Sequence, residues 1–248
     1  LNMFQINKIL RKNDLNPFFW FIFPILITLI FFIVKFLNIN LFIAYFIGEK
    51  GIIENGTFLF LFFAIITAFS VLNKLKKKIN LKTLFFFIIF FLIGLIYFTG
   101  EEISWGQQWF NWETNNFFKK VNDQYETNFH NISSWFDQKP RFLLTFFVIF
   151  GGIFCPFFNK KNFLNSKKLT AWIYPTIYCF PTSLICLFYY LLDNSYKFLC
   201  HGTAGIDIKC KYIPNLLYFR TSEILELYIS FFLLIYILSI NLRLKKIS

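Results

Sequence analysis

Long apolar runs separated by short lysine-rich hooks constrain this chain more than any other feature. A run of about 20 apolar residues can cross a bilayer as a helix, because a helix satisfies its backbone polar groups within the segment. Six runs qualify: residues 17–37, 55–72, 84–99, 142–158, 169–192 and 223–242. Asn16-Pro17 opens the first, and Pro24 within it is tolerated, as kinks are in lipid. The stretch Leu41–Ile47 is too short to cross and belongs at the interface or inside the bundle. The chain is 57% hydrophobic and 15% charged, where soluble domains carry about 25% charged residues. The apolar excess falls in these runs, which a soluble core could not bury. The expected fold is therefore all-α: a polytopic transmembrane helix bundle of about six spans. It forms a single integral membrane domain, residues 1–248, with an amphipathic segment on one face.

Charge sets the expected orientation. Alternate connections hold Lys8, Arg11 and Lys12; then Lys74, Lys76, Lys77, Lys78 and Lys82; then Lys160, Lys161, Lys167 and Lys168; then Arg243, Lys245 and Lys246. Asp14 is the one acidic residue among them, while the other connections hold the remaining acids. By the positive-inside rule both termini are cytoplasmic, in the cell's inner (plasma) membrane, and segments 38–54, 100–141 and 193–222 lie outside. The net charge of +12 is therefore a topology signal, and no soluble basic face is left for nucleic acid. The first apolar run is too long for a cleavable signal, and no small-residue cleavage site follows it.

Polar chemistry collects in the outer segments. Gly100-Glu101-Glu102-Ile103-Ser104-Trp105-Gly106-Gln107-Gln108 follows the third run directly. Adjacent carboxylates at the end of an apolar helix are costly to leave without a partner. On a continuing helix Glu101 and Trp105 share one side, with Glu102 turned away, so that one carboxylate faces the bundle and the other water. The alternative is a charged helix end, with Trp105, Trp109 and Trp112 anchored at headgroup level. Downstream, Glu126 and His130 are spaced i, i+4 on a helix, as a hydrogen-bonded acid–histidine pair or as two ligands of one metal would be. With only two histidines in the chain, a histidine-rich metal site is excluded. A carboxylate-dominated site of Glu101, Glu102 or Glu126 with His130 suits a hard divalent cation; an exposed polar helix with a structural histidine is the plain alternative. Trp109, Phe110, Trp112, Phe117 and Phe118 read as an amphipathic segment on the outer leaflet, either a lid or a substrate groove.

Three helix ends bring carboxylates to one membrane level: Glu49 and Glu54, Glu101 and Glu102, Glu223 and Glu226. Ser222 and Glu223 fit helix capping and the helix dipole, whereas Glu226, one turn further in, is explained less well that way. Cys200 and Cys210 flank a loop and are disulfide candidates in an oxidising compartment. Cys155, Cys179 and Cys186, inside the runs, read as small buried apolar residues.

At Gly100–Gln107 and Asn128–Asn131 the chain resembles a group of bacterial multi-span membrane proteins carrying a Gly-Glu-Glu-Ile-Ser-Trp-Gly-Gln element followed by Asn-x-His-Asn. Gly48–Glu54 and Glu223–Glu226 are similar to that group in a looser way. The resemblance implies a fold type and a site, and assigns neither a reaction nor a catalytic residue.

Two functional classes remain open. In the first, an outward-facing enzyme acts on a lipid or lipid-linked substrate. Glu101 or Glu102 is then general base or metal ligand, His130 is acid, base or ligand, and Trp105, Gln107, Glu126, Asn128 and Glu226 are substrate-contacting candidates. In the second, the chain is a non-catalytic scaffold, assembly factor or partner subunit docking a membrane protein. A transporter ranks third, because no Asp, Glu, Arg or His sits in the middle of a run.

Overall fold

The computed structural model describes residues 15–48, 51–76, 81–122, 127–129, 132, 134–158, 169–200 and 221–247, and the regular structure among them is helical. A π turn at Phe18–Ile22 leads into α1 (Phe23–Leu37), followed by α2 (Ile39–Phe46), α3 (Ile52–Leu75) and α4 (Lys82–Glu102). Two short helices come next, α5 (Gln107–Phe110) and α6 (Asn116–Val121). Then α7 (Ser134–Phe146) passes through a π turn at Phe147–Gly151 into α8 (Gly152–Phe158). The chain ends with α9 (Thr170–Ile173), α10 (Phe180–Cys200) and α11 (Thr221–Ile247).

Five helical stretches are long and apolar enough to cross a membrane: Phe18–Leu37, Ile52–Leu75, Lys82–Glu102, Lys139–Phe157 and Ser222–Lys245. The chain is a multi-pass helical bundle. The last of the five is its axis. In its most apolar window 83% of the residues are buried inside the protein, against 17–33% for the other four. α11 is apolar around its whole circumference, as a helix surrounded by others must be. Phe231, Phe232, Ile235 and Tyr236 all lie at 1% exposure or less. The outward faces of α1, α3 and α4 carry exposed Phe, Ile and Leu side chains, as lipid-facing surfaces do.

The expected span at 169–192, kinked in sequence by Pro175 and Pro181, is broken at the first of these prolines. Proline lacks an N–H and pushes the preceding residue out of the helical region. Tyr174, just before Pro175, is extended at φ −68° and ψ 131°, so α9 stops and a 3₁₀ turn at Ile177–Cys179 restarts the chain into α10. α10 is 21 residues long and runs past the expected end at 192, but Asp193, Asn194 and Lys197 make it more polar than the five spans. The break frees carbonyls that lipid cannot satisfy, and α11 takes them up. Arg243 donates from Nη2 to Trp172 O at 3.0 Å, Tyr236 donates from Oη to Ile173 O at 2.6 Å, and the Thr176 and Ser239 hydroxyls pair at 3.1 Å. The Arg243 guanidinium also lies 5.6 Å above the Trp172 ring.

The short apolar stretch after the first span is α2, folded back at Asn38, whose side chain accepts from Leu41 N at 3.0 Å as an N-cap. Phe42, 1% exposed, packs on Phe31. Cys179 and Cys186 are buried and Cys155 is half-buried, all three as free thiols, as expected. Cys210 lies outside the described residues, so the Cys200–Cys210 disulfide does too.

The bundle sorts its charges by end. Lys74, near the end of α3, donates to Asn241, near the end of α11, which places these lysine-rich termini together. The opposite end gathers the starts of α3, α7 and α11 with the end of α4, and this is where the site residues converge.

Candidate functional site

α4 delivers Gly100, Glu101 and Glu102 at the carboxylate end of the bundle. The expected continuation of the helix past Gly100 holds for two residues only. After Ile103 the backbone reverses through three left-handed positions, Ser104 (φ 46°), Trp105 (φ 55°) and Gly106 (φ 102°). Only glycine takes that conformation without strain, so the two L residues need support from around them.

That support is a set of hydrogen bonds centred on Glu101. Its Oε1 accepts from Trp105 Nε1 and its Oε2 from Phe129 N, each at 2.8 Å, and the residue is 5% exposed. Asn128, fully buried, donates from Nδ2 to Ser104 Oγ at 3.2 Å. Asn122 donates from Nδ2 to Asn128 Oδ1 at 2.8 Å. Gln107 donates to Thr114 Oγ1 at 2.6 Å and accepts from Thr127 N at 2.7 Å. The Gly-Glu-Glu-Ile-Ser-Trp-Gly-Gln element is thus stitched to Asn128 and Phe129, the first two residues of the Asn-x-His-Asn element. Trp105 meets Glu101 as the i, i+4 spacing anticipates, but through a chain reversal.

Gly100 is dictated by the same geometry. A Cβ there would stand 2.8–2.9 Å from the Trp105 indole, which lies across the helix end. Gly100→Ala should therefore lower Tm by several degrees, a cost of about 1–3 kcal/mol from overpacking. Adding Trp105→Ala should remove most of that increment. Thermal unfolding of the two single variants and the double in detergent measures the coupling, and simple additivity would contradict it.

Glu102 points into different company. The charged groups acting on it are Glu226 and Glu223 of α11, Glu54 of α3 and Arg141 of α7. Arg141 pairs with Glu226 through its Nη2, and Glu223 Oε2 accepts from Gly48 N at 3.0 Å. The three helix ends thus bring Glu54, Glu102, Glu223 and Glu226 together. Glu49 lies outside the described residues. Arg141 is the member that sequence reasoning missed; the signal was a lone arginine opening an apolar run at the acidic end. Among the described residues no three His, Cys, Asp or Glu side chains are arranged to hold a metal ion. Glu126 and His130 lie outside the described residues, so their pairing does too.

Chemically, the two adjacent glutamates divide the work. Glu101 is an internal acceptor holding a strained loop. Glu102 belongs to a cluster of acids with a guanidinium. Such a cluster can take up a proton or contact a polar head group. Comparison with protein-family models, with curated proteins and with solved structures finds no match for the chain.

Proposed function

We propose that this protein is a multi-pass bacterial inner-membrane protein whose carboxylate end faces away from the cytoplasm and acts on a lipid or lipid-linked substrate. The observation that carries this reading is the gathering of acids from α3, α4 and α11, with Arg141 of α7, around Glu102. Charged groups are expensive at a membrane boundary, and residues this far apart in sequence meet there only because the fold brings them together. Glu102 acts as general base or as a cation ligand, and His130 as its acid, base or co-ligand. With Glu101 committed to the loop, the pair supplies one reactive carboxylate. A divalent cation, if bound, draws a ligand from His130, Glu126 or the substrate in addition to Glu102 and its neighbours. The orientation rests on the alternation of lysine-rich and acidic connections along the sequence, taken with the positive-inside rule.

The test is to purify the full chain in detergent and measure co-purifying lipid and bound divalent metal. Glu102→Gln and His130→Ala should lose lipid or metal while keeping the wild-type Tm. Glu101→Gln should lower Tm, because an amide presents only one acceptor where two donors converge. If Glu102→Gln and His130→Ala retain the full complement and support growth of a deletion strain, the enzymatic reading fails. For topology, reporter fusions after Lys78 and Lys161 should read cytoplasmic, and one near Asp137 outside.

A second reading, a scaffold or partner subunit, is favoured by one observation. Glu101, Ser104, Gln107 and Asn128 all have internal partners, so the element builds a rigid surface loop. Under that reading the Glu102 variant keeps its lipid and metal and loses a membrane partner instead.

A further inference from the structure

The reversal at Ser104–Gly106 sends the chain back along the outside of the bundle. α5 follows it, and Asn111, at φ 51°, turns the chain again. At the tip of this excursion the Trp109 ring meets Phe58 edge-on, with centroids 4.5 Å apart. Phe58 stacks in turn on Phe62 at 5.9 Å. Phe58 lies less than two turns beyond Ile52, about 9 Å along the α3 axis at 1.5 Å per residue. Its neighbours Leu59, Phe62 and Phe63 are exposed, so this is the lipid-facing side of a span. The loop tip therefore sits at the depth of a membrane-crossing segment.

The tip's surface suits that depth. Phe110 is 74% exposed and stacks flat on Trp112, with centroids 5.9 Å apart and planes within 6°. Phe117 is 60% exposed. Large aromatic side chains left uncovered to this extent are out of place in water and favoured at the bilayer interface. α6 then carries Lys119 and Lys120 in its last turn, both exposed. Lys119 makes a 3.8 Å ion pair with Glu113, which is 96% exposed, and such a pair is worth little.

We infer that residues 104–121 form a re-entrant collar in the leaflet at the carboxylate end, with Trp109, Phe110, Trp112 and Phe117 among the acyl chains and Lys119 and Lys120 on the phosphates of anionic phospholipids. The strained reversal drives the aromatic tip below the headgroups, and the lysines stop it at the phosphate level, as snorkelling cations do. The collar stands whether or not the Glu102 cluster is catalytic.

The full chain reconstituted in phosphatidylcholine vesicles, with and without phosphatidylglycerol, provides the test. Tryptophan emission of the wild type is compared with that of Trp109→Phe/Trp112→Phe, so that the difference reports those two rings alone. The difference signal should be quenched strongly by phosphatidylcholine brominated high on its acyl chains and weakly by aqueous acrylamide. Quenching mainly by acrylamide overturns the inference, and so does shielding from both quenchers, which means a protein surface covers the tip. For the lysines, retained phosphatidylglycerol is measured after detergent extraction. Lys119→Gln/Lys120→Gln should retain several-fold less, on the order of tenfold from two surface lysines, with the aromatic depth signal preserved as a check on folding. Unchanged retention overturns the lysine–phosphate contact.

Discussion

Replacing Gly152 by alanine is expected to lower Tm by roughly 5–10 °C, from an overpacking cost of about 1–3 kcal/mol. Gly152 begins α8, where that helix presses against α10 and α11. A Cβ there would run into the Ser183 hydroxyl and stand 2.8 Å from both Ser183 Cβ and Phe232 Cε2. Neither neighbour can yield cheaply. Ser183 donates to Val148 O at 2.9 Å, a carbonyl inside the adjoining π turn, and to Cys179 O at 3.0 Å. Rotating that hydroxyl away would give up a buried hydrogen bond in an apolar interior. Phe232 is fully buried on the central helix. Close approach through small residues is how helices associate where lipid removes the hydrophobic incentive. Gly94→Ala is the matched control: a Cβ there meets nothing within 4 Å, so the change should be neutral or slightly stabilising. Detergent-phase thermal unfolding of the two variants checks the pair, and equal Tm values would contradict the close packing.

How much of this could be read in the sequence depended on how local the cause was. The five spans follow from apolar runs, which are a property of each segment alone. The central position of α11 was not there to be read, because α3 and α4 are as apolar as α11 and yet face lipid. Pro175 and Pro181 mark the fifth run as kinked, but a full break at Pro175 was not legible. Pro175 also occurs in a pattern that kinked membrane helices tolerate, as Pro24 does in α1. What separates the two is whether a neighbour can take the freed carbonyls, and here Tyr236 and Arg243 do so from 63 and 71 residues away.

The site divides in the same way. That carboxylates meet at one end follows from alternating topology, since α3 and α11 start where α4 stops. Which glutamate of the Glu101–Glu102 pair enters the cluster does not follow, because a straight helix and a left-handed reversal both leave the two pointing apart. The reversal depends on Asn122, Asn128 and Phe129 reaching back to Ser104 and Glu101, contacts that no periodicity encodes. Read locally, Glu101 looked as available for chemistry as Glu102. The hydrogen bonds reaching it from Trp105 and Phe129 show it at the centre of a structural loop.

Removing the arginine from the cluster should destabilise the carboxylate end. Arg141→Ala leaves Glu226, Glu102, Glu54 and Glu223 facing one another without the guanidinium that opposes their repulsion. Loss of one partner from a buried ion pair costs about 3–5 kcal/mol. Arg141 is 37% exposed against 14% for Glu226, and solvent screening brings the expectation down to roughly 1–3 kcal/mol. Two rescues follow from the electrostatic cause. Adding Glu226→Gln removes the charge that Arg141 opposes most directly, so the double variant should recover most of the lost Tm. Lowering the pH should narrow the gap between Arg141→Ala and wild type, because protonated carboxylates no longer repel and no longer need the cation. The gap is therefore widest where the carboxylates are ionised and shrinks as they take up protons. A variant whose deficit persists at low pH and survives Glu226→Gln would show that Arg141 contributes by packing at the mouth of α7, and the charge argument would have to be given up.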